Sequence, residues 1–284
     1  MIPVLHGIDL VAPSTLDDAL GLLASDSSAR PFAGGTDLMV LLEAGRLPGG
    51  RYVSLWGLNE LRAISTSESG ALSIGALTTF TEIRRSEEIS RRYPMLAAAA
   101  GQIGGVATQN RATLGGNIAN ASPAADSPPA LIAYDAELEL VSMNERRRVP
   151  YADFHLGYKQ MRLRAGEIIA SVILPPRGDG WRDSYRKVGT RRAQAISKVC
   201  LAAALRTADG VIADVRLALG SVAPTVVRCR AAEDVLRGRT PDETTIHRAL
   251  GAIETDIAPI DDIRSTAEYR TAVARNLVAD FLRA

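Results

Sequence analysis

The stretch TLGGNIANASPAAD, residues 113–126, holds a Gly-Gly pair, hydroxyls at Thr113 and Ser122, amides at Asn117 and Asn120, and one carboxylate, Asp126. No lysine or arginine occurs between Arg111 and Asp135. A surface loop ordinarily carries more charge. Paired glycines reach positive φ and turn successive N–H groups to one side, a concavity that takes anionic oxygens. The composition suits a diphosphate or sugar held by neutral donors, with Asp126 accepting from a ribose or ribityl hydroxyl. A tightly packed structural loop is the other reading.

A second Gly-Gly pair lies upstream in PFAGGTDL, residues 31–38. It follows a predicted strand. Thr36 adds a hydroxyl, and a following helix adds the positive end of its dipole. No lysine follows these glycines, so they do not form a GxxxxGK[ST] phosphate loop, and they lack the GxGxxG pattern of a Rossmann site. An ordinary turn explains one such pair in isolation. Two pairs suggest a dinucleotide gripped from two lobes, with the cofactor in the cleft between them.

The rest of the composition narrows the class. The chain has 284 residues, 46% hydrophobic and 23% charged, which is globular. Its formal net charge of +1 offers no field for nucleic acid or an anionic membrane. Cys200 and Cys229 are too few for a disulfide scaffold, a Cys₄ zinc site or an iron–sulfur cluster within the chain. Cys200 reads as a small core residue and Cys229 as a partly exposed thiol. His6, His155 and His247 are far apart and lack metal-ligand spacing, so no metal site is expected. No apolar run of about 18 residues and no leader pattern is visible, so a soluble cytoplasmic protein without a membrane span is expected.

The periodicity predicts an α+β fold. A two-lobed domain covers 1–176, with a small β-α-β lobe (about 1–57) and a mixed or antiparallel sheet lobe (about 58–176). A C-terminal domain of antiparallel strands and helices covers 184–284. Ser14 and Asp17 resemble a capping box for a helix with apolar face Leu16, Ala19, Leu20 and Leu23. Thr81 to Ala100 reads as helical with a break at Pro94. Arg146-Arg147-Arg148 reads as surface charge at a turn. Pro175 to Asp183 is the linker candidate. Strands are predicted at 184–188, 196–205 and 211–219, then two or three helices, the clearest being Ala267 to Leu282.

Together, PFAGGTDL and TLGGNIANASPAAD resemble the FAD-binding subunit of the molybdenum hydroxylases, the group of xanthine dehydrogenase and the medium subunit of aerobic carbon monoxide dehydrogenase. The resemblance runs through Ile74-Gly75-Ala76, Glu167-Ile168-Ile169 and Tyr185-Arg186-Lys187-Val188 and covers essentially the whole chain. Residues 185–199, YRKVGTRRAQAISKV, most resemble the bacterial xanthine dehydrogenase type.

The resemblance implies that the 1–176 domain binds FAD. Pro31, Phe32, Ala33, Gly34, Gly35, Thr36, Asp37 and Leu38 would form one diphosphate loop. Thr113, Leu114, Gly115, Gly116 and Asn117 would form the other. Asp126 would meet a polar part of FAD, Ile103 and Ile169 would contact it, and Lys187 would stabilise negative charge on the reduced ring. No residue of this chain is then required as a nucleophile or general base. The resemblance further implies a large partner subunit with the molybdopterin cofactor, a small one with [2Fe-2S] clusters, and a dimer of heterotrimers. Electrons would pass from the clusters through FAD to an acceptor such as NAD. The 4-hydroxybenzoyl-CoA reductase type carries an inserted loop with an extra four-iron cluster, which is missing here.

A stand-alone FAD-dependent oxidase or dehydrogenase, and an assembly module without FAD, are the alternatives. Read from the residues alone, Lys187 is an exposed strand-edge lysine. The pair Arg191-Arg192 is read either as an attractor of a nicotinamide nucleotide or as an exposed turn.

Overall fold

A computed structural model describes residues 7–191 and 193–284. His6 and Arg192 lie outside them. The first lobe is a parallel three-stranded sheet, β1 (Ile8–Val11), β2 (Arg30–Phe32) and β3 (Gly50–Ser54), in the order β1-β3-β2. Helix α1 (Leu16–Ser25) packs on it through Leu16, Ala19, Leu20 and Leu23, the predicted face. Its cap is Thr15, one residue later than the expected Ser14. The Thr15 hydroxyl accepts from the Asp18 amide at 3.1 Å and donates to the Asp18 carboxylate at 2.7 Å. The donor it satisfies lies three residues on, so Leu16 is the first helical residue. Helix α2 (Leu38–Glu43) follows the first Gly-Gly pair.

The second lobe centres on a five-stranded sheet of β4 (Ile64–Thr66), β5 (Leu72–Gly75), β6 (Glu137–Val141), β7 (Arg146–Pro150) and β10 (Ile168–Leu174), in the order β4-β5-β10-β6-β7. Its neighbouring strands are all antiparallel. β10 is central and buried at every position, which accounts for its unbroken apolar run. Between β5 and β6 come α3 (Phe80–Arg85), α4 (Glu87–Arg92), α5 (Pro94–Gln102), α6 (Val106–Gln109), α7 (Leu114–Ala119) and α8 (Ser127–Ala133). The helical run expected from 81 to 100 breaks at Ser86 as well as near Pro94. Ser86 ends α3 and then caps α4 by accepting from the Ile89 amide at 3.2 Å. A short hairpin, β8 (His155–Gly157) and β9 (Gln160–Met161), precedes β10.

The C-terminal sheet has the order β11-β12-β13-β14, from β11 (Trp181–Val188), β12 (Val199–Ala208), β13 (Val211–Gly220) and β14 (Val227–Arg228). Helices α9 (Arg230–Leu236), α10 (Glu243–Asp256) and α11 (Ala267–Arg283) close the chain. β12 is apolar on both faces for a physical reason. Val199, Leu201, Ala203 and Leu205 share a core with α10 and α11, while the small residues Ala202 and Ala204 join the core of the second lobe. The small side chains let α5 and α8 lie between the two larger sheets. β11 begins at Trp181, inside the stretch expected to be linker. No helix among the described residues is long and apolar enough to cross a membrane.

Two surface assignments do not hold. Arg147 lies on β7, not a turn, and donates to both Glu167 oxygens at 2.7 and 2.8 Å. Cys229 is fully buried, because it leads into α9 and its amide donates to Leu217 of β13. Its thiol is pushed well up by burial.

The Glu167 side chain is 3% exposed and also accepts from the Arg164 amide at 2.7 Å. Hydrogen bonding from Arg147 holds its carboxyl below the usual range against the cost of burial. We expect Arg147→Ala to cost about 3 kcal/mol, because it leaves a buried carboxylate without its partner. The carboxyl is depressed in the folded state, so the stabilisation is full above its unfolded pKa of about 4.3 and fades as pH falls through the folded value. Urea unfolding of both proteins at neutral and acid pH checks this, with the gap between them expected to narrow in acid.

Candidate functional site

The two Gly-Gly motifs meet. A cavity of about 380 Å³ is lined by Pro31 and Ala33 to Leu38 on one side and by Thr113, Gly115, Gly116 and Asn117 on the other. Ile103 and Ile169 line it as well. A neighbouring hollow of about 950 Å³ shares Asp37, Ile103, Thr108, Asn117 and Asn120 with it and reaches Asp126. The two adjoin through these shared residues, and each by itself is within the size range of ligand and cofactor sites.

The loops touch through absent side chains. A Cβ on Gly34 would lie on top of the Arg111 carbonyl oxygen. Gly35 sits at φ +78°, and a Cβ there would meet the Phe32 ring at 2.7 Å. Phe32 therefore packs under its own loop and does not line the cavity. Leu114 is fully buried in the core and does not line it either.

The motifs differ in what they offer. Among the described residues, the backbone N–H groups of Gly34, Gly35, Thr36 and Asp37 have no acceptor. Buried or half-buried amides are nearly always paired, so a run of free ones at a cavity wall is a site for anionic oxygen. The second motif is the first turn of α7, not an open loop. Thr113 caps it, accepting from the Gly116 amide at 3.1 Å. The Leu114 amide donates to Thr78, Gly115 to Ala76 and Asn117 to Thr113. This motif's backbone donors are consumed by its own cap and by the segment after β5, and it contributes space and side chains. A Cβ on Gly116 would meet only Thr113 Oγ1 at 2.9 Å and Ala33 at 3.9 Å, so the position opens toward the first loop. Asn117 Oδ1 accepts from Ser127 at 2.7 Å, which leaves its amide group free to donate. Asn120 donates to Asp37 at 3.3 Å and ties the loops across the cleft.

Asp126 and Lys187 lie together behind the cleft. Lys187 Nζ donates to Asp126 Oδ2 at 2.6 Å and to the Gln102 carbonyl at 3.0 Å. Ser197 donates to Asp126 Oδ1 at 2.7 Å, and the Tyr185 hydroxyl to the Asp126 carbonyl at 3.0 Å. Burial raises the Asp126 carboxyl above its ordinary value, against the pull of Lys187 and Ser197. β11 is an edge strand, as the residue pattern suggested, but Lys187 is not exposed. Its side chain is 7% accessible because it crosses from the C-terminal sheet to the ends of α5 and α8. His155 is also a packed residue, with Nε2 at 2.9 Å from the Ile118 carbonyl.

Leu55, Leu61, Leu77 and Leu163 form an apolar wall that the motifs do not include, and Ile168, beside Ile169, joins it. They come from separate elements and carry no shared pattern. The only hint was their position beside the motifs.

Residues 6–177 match the family described as FAD binding domain in molybdopterin dehydrogenase, and residues 184–284 that described as CO dehydrogenase flavoprotein C-terminal domain. The chain is 36% identical over 258 residues to the xanthine dehydrogenase FAD-binding subunit of Escherichia coli O157:H7, covering 90% of this chain and 88% of the relative. It is 30% identical over 276 residues to the carbon monoxide dehydrogenase medium chain of Hydrogenophaga pseudoflava, with 96% and 95% covered. Among solved structures, carbon monoxide dehydrogenase from Hydrogenophaga pseudoflava superposes with TM-score 0.93 at 31% identity over 99% of this chain and 96% of that one. Quinoline 2-oxidoreductase from Pseudomonas putida 86 gives TM-score 0.89 at 28% identity, with 97% and 95% covered.

The buried pair generates a prediction. Lys187→Ala leaves Asp126 without its counter-charge and is expected to cost about 3–5 kcal/mol, so the change is not structurally silent. Adding Asp126→Asn removes the stranded charge and is expected to restore part of that stability. Denaturant unfolding of the single and double variants measures both.

Proposed function

The chain belongs to the FAD-binding subunit family of the molybdenum hydroxylases, and from that premise we propose that it is the electron-transfer flavoprotein of such a complex, most like the xanthine dehydrogenase FAD subunit. The observation that carries this reading is the row of unpartnered amides from Gly34 to Asp37, facing the open position at Gly116 across a cleft of cofactor size. Bound FAD would accept electrons singly and release them as a pair.

The residues suit that cofactor. The amides of 34–37 and the Thr36 hydroxyl hold the diphosphate, and Gly116 leaves room for it. The Asn117 amide donates to a sugar or ribityl oxygen. Ile103 and Ile169 give the ring an apolar bed and keep water from its faces. A carboxylate has about four acceptor positions, so Asp126 keeps capacity for a cofactor hydroxyl beyond Lys187 and Ser197. Lys187, held at Gln102 next to Ile103 and paired with Asp126, places an ammonium donor behind the ring end of the cleft with its charge balanced.

In this reading a large subunit carries the molybdopterin cofactor and the substrate, and a small subunit carries [2Fe-2S] clusters. The cytoplasmic complex is a dimer of heterotrimers that delivers electrons to an acceptor such as NAD. Relatives named as medium chains of dehydrogenases support the multi-subunit reading. Arg191 donates to the carbonyls of Ala193 and Gln194 on a loop that borders the cleft.

An absorption spectrum of the purified chain, followed by release and identification of any flavin, tests the proposal. FAD in stoichiometric amount is expected, and Gly116→Leu is expected to abolish its retention by filling the space opposite the first loop. A colourless chain that refuses added FAD overturns the cofactor assignment. A yellow chain that oxidises a small substrate without partners overturns the electron-transfer role.

A further inference from the structure

We propose that Trp56, clamped between the guanidinium groups of Arg62 and Arg111, is a positioning residue that sets the spacing of the two Gly-Gly motifs. The inference rests on the diphosphate site proposed above and concerns what holds its two walls in register.

Trp56 follows β3 and Leu55, a wall residue of the cavity. The Arg111 guanidinium carbon lies 3.7 Å from the Trp56 ring centroid, and that of Arg62 lies 4.2 Å from it. Two planar groups this close to one centroid cannot share a face, so the indole is sandwiched. Arg62 is fixed further by donating to the Trp56 carbonyl at 2.8 Å and the Leu77 carbonyl at 3.3 Å. Arg111 has no such support. It is exposed, and among the described residues its side chain makes no ion pair and no hydrogen bond, so its partner is the indole face.

The backbone of Arg111 is also the contact point between the motifs. Its carbonyl lies where a Cβ on Gly34 would be, and Ala112 and Thr113 follow directly into the second motif. A shift of Arg111 moves the Thr113 cap relative to the free amides of 34–37. The stack therefore connects the first lobe, through Trp56, to the segment that opens the second motif. Neither residue belongs to a motif, which is why the sequence alone did not single them out.

A guanidinium stacks on an aromatic face in a way that an ammonium does not reproduce. That difference separates positioning from a direct charge effect on the diphosphate. The test is FAD titration of the full-length chain after removal of any bound flavin. Arg111→Gln and Arg111→Lys are each expected to weaken FAD binding by roughly two- to fivefold, the scale of a lost cation–π contact at an exposed site, with thermal unfolding of the flavin-free protein little changed. In a Trp56→Leu background, Arg111→Gln is expected to add nothing further, because the interaction is already gone. Full affinity in Arg111→Lys overturns positioning in favour of charge alone, and unchanged affinity in Arg111→Gln overturns it outright. Should Trp56→Leu fail to fold, the two Arg111 variants decide. A wild-type chain that takes up no FAD overturns the proposed function and this role together. Normal uptake by wild type and by Arg111→Gln overturns only this role.

Discussion

The contact between Gly34 and the Arg111 carbonyl is the constraint on which the cleft depends. Two backbones approach closer than any side chain allows, and this brings two distant motifs to one cavity. The first of these motifs directly follows β2, at one edge of the parallel three-stranded sheet. Gly115 repeats the device against Ala76, where a Cβ would come within 2.6 Å, and seats α7 on the end of β5. Glycine serves here by permitting backbone contact as much as by permitting unusual dihedrals.

Around that contact the chain divides donors from space. The first motif keeps its amides free, and the second spends its own on capping and on the Ala76–Thr78 segment that follows β5. A site with free donors on one wall and room on the other takes an anion between them. An apolar wall from Leu55, Leu61 and Leu77 lines the same cavity, and low local dielectric there would strengthen hydrogen bonds to an anion. The C-terminal sheet closes the back of the cleft through Lys187, which donates to Asp126 and Gln102, and is tied to the second lobe elsewhere by Tyr134 and Arg177, which both donate to Asp183. Buried charges of this kind fix register more than they add stability.

Much of the fold was legible, because periodicity reports burial directly. The face of α1 and the strands of the C-terminal sheet follow from residue spacing and apolar runs. The errors share one cause. The cap at Thr15, the pairing of Arg147, the burial of Cys229, and the helical start of the second motif each depend on a partner far away in sequence or on one hydrogen bond. A charge run such as 146–148 looks solvated until Glu167, about twenty residues on, is found beneath it. Lys187 looks exposed on an edge strand until Asp126 is folded against it.

The sequence by itself determined the α+β class, the strands-then-helices order of the C-terminal part and the two glycine motifs with their neutral, donor-rich composition. These are local properties, set by which side chains repel or seek water and by which positions lack a Cβ. Only the tertiary structure decided that the motifs share one cleft, that one keeps its amides free while the other uses them, and that Lys187 and Asp126 neutralise each other behind it. Those outcomes depend on which distant groups become neighbours. Hydrogen-bond partnership and charge pairing are properties of position in space, which spacing along the chain does not encode.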